Sequence, residues 1–235
     1  MTELKGITFG DFRNSNIDNN KIILAVIEKV WRNKQKMHLD INNNPLTKRA
    51  ERRYASFTEK QRRQIEILND MTWKEYQLNV IKKTKTLPRK GDVFLVSPQS
   101  KFFFGGVVVQ EQVYHMEDEN FWLVFILKDR TSNVSFNVPK LNIENLLIEP
   151  AMVAQFFWNS GVFFNVGKIE IPSELDYGFY RIGKGYVDEY GRALEQEPKL
   201  MGTYGVSSKD GLAYEINYEL IANNIFERDD DFDID

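Results

Sequence analysis

Three short runs of β-branched and aromatic residues constrain this chain most. Asp92-Val93-Phe94-Leu95-Val96 follows Lys90-Gly91. Phe102-Phe103-Phe104 passes through Gly105-Gly106 into Val107-Val108-Val109. Phe121-Trp122-Leu123-Val124-Phe125-Ile126-Leu127 follows the polar turn Glu117-Asp118-Glu119-Asn120. Runs of this composition and length, bounded by turn residues, form strands rather than helices. Their nearly continuous apolar character predicts a sheet covered on both faces, with helices on one side. Two glycines inside a strand pattern predict a bulge or sharp bend of the kind small barrels use.

Helical periodicity flanks these strands. Ile22, Ile23, Val26, Ile27, Val30 and Trp31 form one stripe, with Asp18 as its cap. Asn42-Asn43-Asn44-Pro45 breaks the pattern, since Asn favours turns and Pro cannot continue a helix. Ser56-Phe57-Thr58-Glu59 has capping-box form, and Ile65, Leu68, Thr72, Tyr76 and Val80 extend a second stripe towards Pro88. Phe163–Val166 and Tyr177–Tyr180 read as strands, and Leu212, Ile216, Leu220 and Ile221 as a helix near 209–223. The expected fold is α+β: a mainly antiparallel, strongly bent sheet or small partly open barrel, with an N-terminal helical hairpin and a C-terminal helix. The expected organisation is a helical extension over 1–86, a β-rich domain over 87–226 and a mobile acidic tail over 227–235.

The chain has no cysteine, which excludes disulfides, thiolate nucleophiles and cysteine-ligated metals. It fits a reducing compartment. With no signal-type apolar run at the N-terminus and no stretch of membrane-spanning length, the expectation is a cytoplasmic protein without membrane contact. Charge is uneven. Residues 1–88 hold 18 Lys and Arg against 10 Asp and Glu, and residues 89–235 hold 13 against 24. The basic half contains Lys48-Arg49-Ala50-Glu51-Arg52-Arg53-Tyr54, followed by Lys60, Arg62 and Arg63. Basic residues beside a tyrosine suit nucleic acid, but Glu51, Glu59 and Glu66 lower the potential there.

Motifs for catalysis are sparse. His38 and His115 lack the partner spacing of a metal site, apart from the acidic turn near His115, which reads as solvated. No Gly-x-Ser-x-Gly elbow occurs, and Trp158-Asn159-Ser160-Gly161 lacks its first glycine. Gly183-Lys184-Gly185 lacks the third glycine of a phosphate loop, because position 188 is Asp, and reads as a turn between strands. The carboxylate pairs Asp188/Glu189 and Glu195/Glu197, and Asp229–Asp231, show no facing geometry in one dimension. No cofactor and no metal ligand set is expected.

Leu87-Pro88-Arg89-Lys90-Gly91-Asp92-Val93-Phe94-Leu95-Val96, followed by Lys101-Phe102-Phe103-Phe104-Gly105-Gly106-Val107-Val108, resembles the opening of the immunity protein 26 family of bacterial polymorphic toxin systems. Gly91 permits a turn, Asp92 caps it, and the two runs make a hairpin. Trp158-Asn159-Ser160-Gly161-Val162-Phe163 and Tyr177-Gly178-Phe179-Tyr180 are similar to later features of that family, so the resemblance spans about 87–220. PemK/MazF-like ribonuclease toxins also open with Gly-Asp and a strand. This chain departs from them, with Gly106-Val107-Val108-Val109 where they carry an arginine-rich continuation.

The resemblance implies a non-enzymatic protein that occludes the active site of a cognate toxin. A net-acidic C-terminal region suits a basic toxin such as a nuclease, with charge complementarity speeding association. The turn-borne acids Glu117, Asp118, Glu119, Asp188 and Glu189 are the expected partner contacts. Two alternatives stay open at this point: a nucleic-acid-binding or RNA-cleaving protein that uses the basic helices, and a hydrolase with an unrecognised site.

Overall fold

The computed structural model describes residues 44–85, 87–99, 102–114, 120–133 and 141–225. They belong to one compact unit, Asn42–Asp235. The stripe at 22–31 with its Asp18 cap, both histidines, Glu117, Asp118, Glu119 and the tail 227–235 lie outside the described residues.

A five-stranded antiparallel sheet forms the centre. It contains β1 (Asp92–Gln99), β2 (Phe102–Val113), β3 (Phe121–Thr131), β4 (Ala151–Ala154) and β5 (Phe163–Lys168), in the order β4-β3-β2-β1-β5. The sheet is open and not closed into a barrel. A smaller sheet holds β6 (Tyr177–Arg181), β7 (Gly185–Val187) and β8 (Leu200–Thr203), in the order β7-β6-β8. The fold class is therefore α+β, and Gly183 lies in the turn between β6 and β7 as expected.

Side chains alternate across the large sheet, because successive residues of a strand face opposite ways. Phe94, Val96, Val108, Trp122, Val124, Ile126 and Val153 face a core shared with Phe157, Trp158, Leu212, Ile216 and Leu220. Val93, Val107, Leu123, Phe125, Leu127 and Met152 face the other way, onto Phe179 and Val187 of the small sheet. Both faces are covered, by helices on one side and strands on the other. This explains why the strands read as unbroken apolar runs.

The glycine pair sits at the predicted irregularity: the β2–β3 register shifts between Phe104 and Gly106. Gly106 pairs across the strands with Phe94, whose ring covers it. Phe94 stacks on Phe163 at 4.3 Å between centroids and meets the Trp158 ring edge-on at 5.6 Å.

The helices differ from expectation in their boundaries. Pro45 opens a helix that the periodicity had not placed, α1 (Pro45–Ala55), with Asn44 capping the Leu46 N–H at 2.9 Å. Proline is tolerated there because the first helical N–H has no partner in any case. The cap of α2 (Glu59–Asp70) is Thr58 with Gln61 rather than Ser56 with Glu59. The Gln61 N–H donates to the Thr58 hydroxyl, and the Thr58 N–H donates to the Gln61 side chain. The frame shifts by two residues because Gln61 is buried and also donates to the Ala222 carbonyl at 3.0 Å. Ser56 instead closes α1, its hydroxyl donating to the Arg53 carbonyl. Thr58→Ala is expected to cost about 1 kcal/mol, the usual worth of such a cap, read as a lowered urea midpoint with unchanged slope. An unchanged midpoint would show that the cap contributes nothing.

The second stripe does not run to Pro88. After Asp70 only a single turn remains, α3 (Trp73–Tyr76), and the chain then extends. The Asn79 N–H donates to the Ser97 carbonyl and the Ile81 N–H to the Gly161 carbonyl, so the sheet side supplies the bonds a helix would have made. The last helix, α5 (Lys209–Ala222), follows the short α4 (Phe156–Asn159) and buries Leu212, Ile216, Leu220 and Ile221 as its periodicity predicts. No helix among the described residues is long and apolar enough to cross a membrane.

Candidate partner-binding site

The residues of the Gly-Asp-Val-Phe segment build a turn. Gly91 adopts φ 86°, where side chains are strained. The Asp92 carboxylate accepts from the Arg89 N–H and from the Asn165 amide, both at 2.9 Å, and the Asn165 oxygen accepts from the Trp158 indole at 2.7 Å. The two segments that carry the family resemblance thus meet in one hydrogen-bonded chain over the Phe94–Trp158–Phe163 cluster. The turn holds Lys90 at the rim of the sheet.

Asp188 and Glu189 follow β7 in the loop that faces this rim. Asp188 is only 15 % accessible. Its carboxylate accepts from the Tyr190 and Arg192 N–H groups at 2.9 Å each and from the Arg192 guanidinium at 2.5 Å. Asp188 therefore shapes the loop from inside, and Glu189 and Tyr190 are what the loop presents. Burial, with the Glu189 carboxylate adding to it, pushes the Tyr177 phenol well above its ordinary range. The Tyr190 hydroxyl accepts from the Gln110 amide at 3.0 Å, and the Lys90 ammonium donates to the same Gln110. Lys90, Gln110, Ser173, Leu175, Tyr177 and Glu189 line a cavity of roughly 210 Å³. Beside it lies an open depression floored by Arg89, Glu111, Gln112 and Tyr190.

Two non-glycine residues at the end of β2 take positive φ: Gln112 at 52° and Tyr114 at 55°. Such strain costs on the order of 1 kcal/mol per residue and concentrates at functional surfaces. The Tyr114 N–H donates to the Glu189 carbonyl at 3.0 Å, which ties this strand end to the loop. Of the five expected contacts, Asp188 and Glu189 come together here. Glu117, Asp118 and Glu119 follow Tyr114 in the chain, outside the described residues.

A second set of carboxylates escaped the sequence reading. Glu149 and Glu215 line a cavity of roughly 170 Å³ with Thr203 and Ser207. Burial, with the charges of Glu149 and Glu219 adding to it, raises the Glu215 carboxyl to about 7. Burial also raises Glu149, against the lowering pull of Arg49. Since 41 % of the Glu149 side chain is accessible, solvent screens it, and a pH response rests on Glu215. Glu149 and Glu215 are far apart in sequence. The available hint was Glu215 and Glu219 at helical spacing beside the buried Ile216 and Leu220.

The basic segment is partly spent inside the molecule. Arg53 makes a bidentate pair with Glu219, and Arg49 reaches Glu197 at 3.0 Å. Glu197, from the second expected acidic pair, also accepts from the Tyr186 hydroxyl. Among the described residues no three His, Asp or Glu side chains gather to hold a metal ion.

Compared with protein-family models, curated proteins and solved structures, the chain matches none. It is an α+β protein on an open five-stranded sheet backed by a smaller second sheet.

Proposed function

We propose that this chain is an immunity-type inhibitor, which binds a cognate bacterial toxin domain and covers its active site. One observation carries the reading: Asp188 locks residues 188–192 so that Glu189 and Tyr190 stand preformed beside Lys90 and Gln110. A surface that is ordered before binding loses little conformational entropy on association, the main way tight stoichiometric inhibitors gain affinity. The strained backbone at Gln112 and Tyr114 borders the same surface. The likeness of 87–108 to the immunity family supports the reading from the sequence side, and the acidic C-terminal region favours a basic partner.

Co-expression tests it. The C-terminal domain of the polymorphic toxin encoded beside this gene should arrest growth alone and lose toxicity with this protein, and the two should co-purify. Replacing Glu117, Asp118, Glu119 and Glu189 together with Ala should slow association roughly tenfold at low salt and flatten its salt dependence, as loss of steering charge does. Asp188→Ala should act differently, by loosening the loop and speeding dissociation. Growth arrest that persists with both proteins expressed, or association rates untouched by the four substitutions, overturns the reading.

A further inference from the structure

Helix α1 is attached in an unusual way. None of its residues is buried. Ion pairs tie its side chains to distant elements: Arg53 with Glu219 on α5, and Arg49 with Glu197 ahead of β8 and with Glu149 ahead of β4. The nearest buried apolar residue beyond it is Phe57, which clusters with Ile65, Leu68 and Ile221 and meets the Tyr54 ring of α1 edge-on at 5.8 Å. Between the two, the Ser56 N–H and hydroxyl both bond back to the Arg53 carbonyl. The Ala55 carbonyl accepts from Arg62, whose guanidinium also lies over the Tyr54 ring. The last turn of α1 is thus tethered to α2 and to Phe57, over whose ring the Arg53 guanidinium also lies, while the Arg49 ion pairs hold the body by charge. Glu149, one of its partners, lines the 170 Å³ cavity together with Gly202 and Thr203 of β8.

We propose that α1 is an electrostatic strap: its body swings away about the tethered last turn, above the Phe57 anchor, and its departure frees Glu149 at the wall of the cavity that Ala151, Ser207 and Glu215 also line. The physical basis is the contrast in attachment. A helix that buries apolar area leaves only when the core unfolds. The Arg49 pairs join well-accessible groups and weaken as salt screens them, whereas the bidentate Arg53–Glu219 pair, with Glu219 only 12 % accessible, is screened less and yields to substitution. Elements with few buried contacts open locally, well below the free energy of global unfolding. The core of the large sheet and α5 does not depend on α1, since its apolar cluster contains no α1 residue.

Amide hydrogen exchange on the full chain tests the strap. The amides of Arg49–Ala55 should exchange roughly tenfold faster at about 0.5 M salt than at about 0.02 M, as screening predicts, with β1–β5 and α5 unchanged. Arg53→Gln and Glu219→Gln should each reproduce that acceleration at low salt. The charge-swapped R53E/E219R protein should regain protection. The cavity is read separately with a thiol probe, because the chain has no cysteine of its own. The Ala151→Cys variant, with its thiol on the buried cavity wall, should react faster with a soluble thiol reagent at high salt and in the Arg53→Gln background. Amides of α1 that exchange no faster than those of α2, or labelling of the Ala151→Cys variant that is indifferent to salt and to Arg53→Gln, overturns the proposal.

Discussion

Gly106→Ala is expected to destabilise the fold by about 3 kcal/mol, at the upper end of what overpacking costs. A Cβ at this position would lie 2.5 Å from Cε2 and 2.9 Å from Cε1 of Phe94. That ring has nowhere to go: it is fully buried, stacked on Phe163 and edge-on to Trp158. The bulge at Phe104–Gly106 and the bare Gly106 act together, the one bending β2 and the other admitting a cross-strand aromatic over the backbone. If that is the cause, Phe94→Leu should relieve the clash, and the double variant should be more stable than the sum of the two single losses by about 1 kcal/mol, a normal coupling for residues in contact. Urea unfolding followed by tryptophan fluorescence measures all four proteins, with Trp122 and Trp158 both in this core. Strict additivity would show that the strain lies in the backbone and not against Phe94.

Glu215→Gln is expected to remove a pH dependence and to raise stability at pH 8 by on the order of 2–3 kcal/mol. Burial and the neighbouring Glu149 and Glu219 charges raise the folded-state carboxyl to about 7, and one pKa unit corresponds to about 1.4 kcal/mol. The sign follows from linkage. A carboxyl raised on folding binds its proton more tightly in the native state than in the unfolded chain. Below the ordinary value of 4.5 both states are protonated and folding carries no charge penalty from this group. As pH climbs from there through about 7, the native state must hold a half-buried carboxylate beside two others, and stability falls. Wild-type and E215Q midpoints measured from pH 4 to pH 8 should therefore coincide at the acid end and diverge upward, with E215Q the more stable. Parallel curves would mean that Glu215 titrates like a solvated acid.

The strands were legible because their physics is local. A strand buried on both faces needs unbroken β-branched and aromatic runs, and Val93–Val96, Val107–Val109 and Phe121–Leu127 have them wherever they dock. The turn at Gly91-Asp92 was equally legible: a positive-φ glycine followed by an acid that accepts from the Arg89 N–H is specified within four residues. Helix ends were less so. Ser56-x-x-Glu59 and Thr58-x-x-Gln61 both satisfy the capping pattern, and what chose between them is the Ala222 carbonyl, 161 residues from Gln61 in the chain. Likewise, nothing within 77–85 forbids a helix. The chain is extended there because Ser97 and Gly161 accept its N–H groups.

The candidate surfaces divide in the same way. Acidic residues on turns were visible as such, and Glu189 lies in the loop after β7, lining a cavity with Lys90 and Gln110. That Asp188 turns inward to hold Tyr190 and Arg192 depends on where the loop folds, and a string of letters makes the two neighbours look alike. The Glu149–Glu215–Glu219 group and its arginines form only when the segment before β4, helix α5 and helix α1 converge. By itself the sequence determined the period of each element, the covered sheet and the glycine-bearing turn and bulge, because those follow from backbone sterics and side-chain alternation over a few residues. Only the tertiary structure decided which caps are used, which charges are spent inside and which carboxyl holds its proton near pH 7. Hydrogen-bond satisfaction and desolvation depend on neighbours that the chain brings together from a hundred residues away.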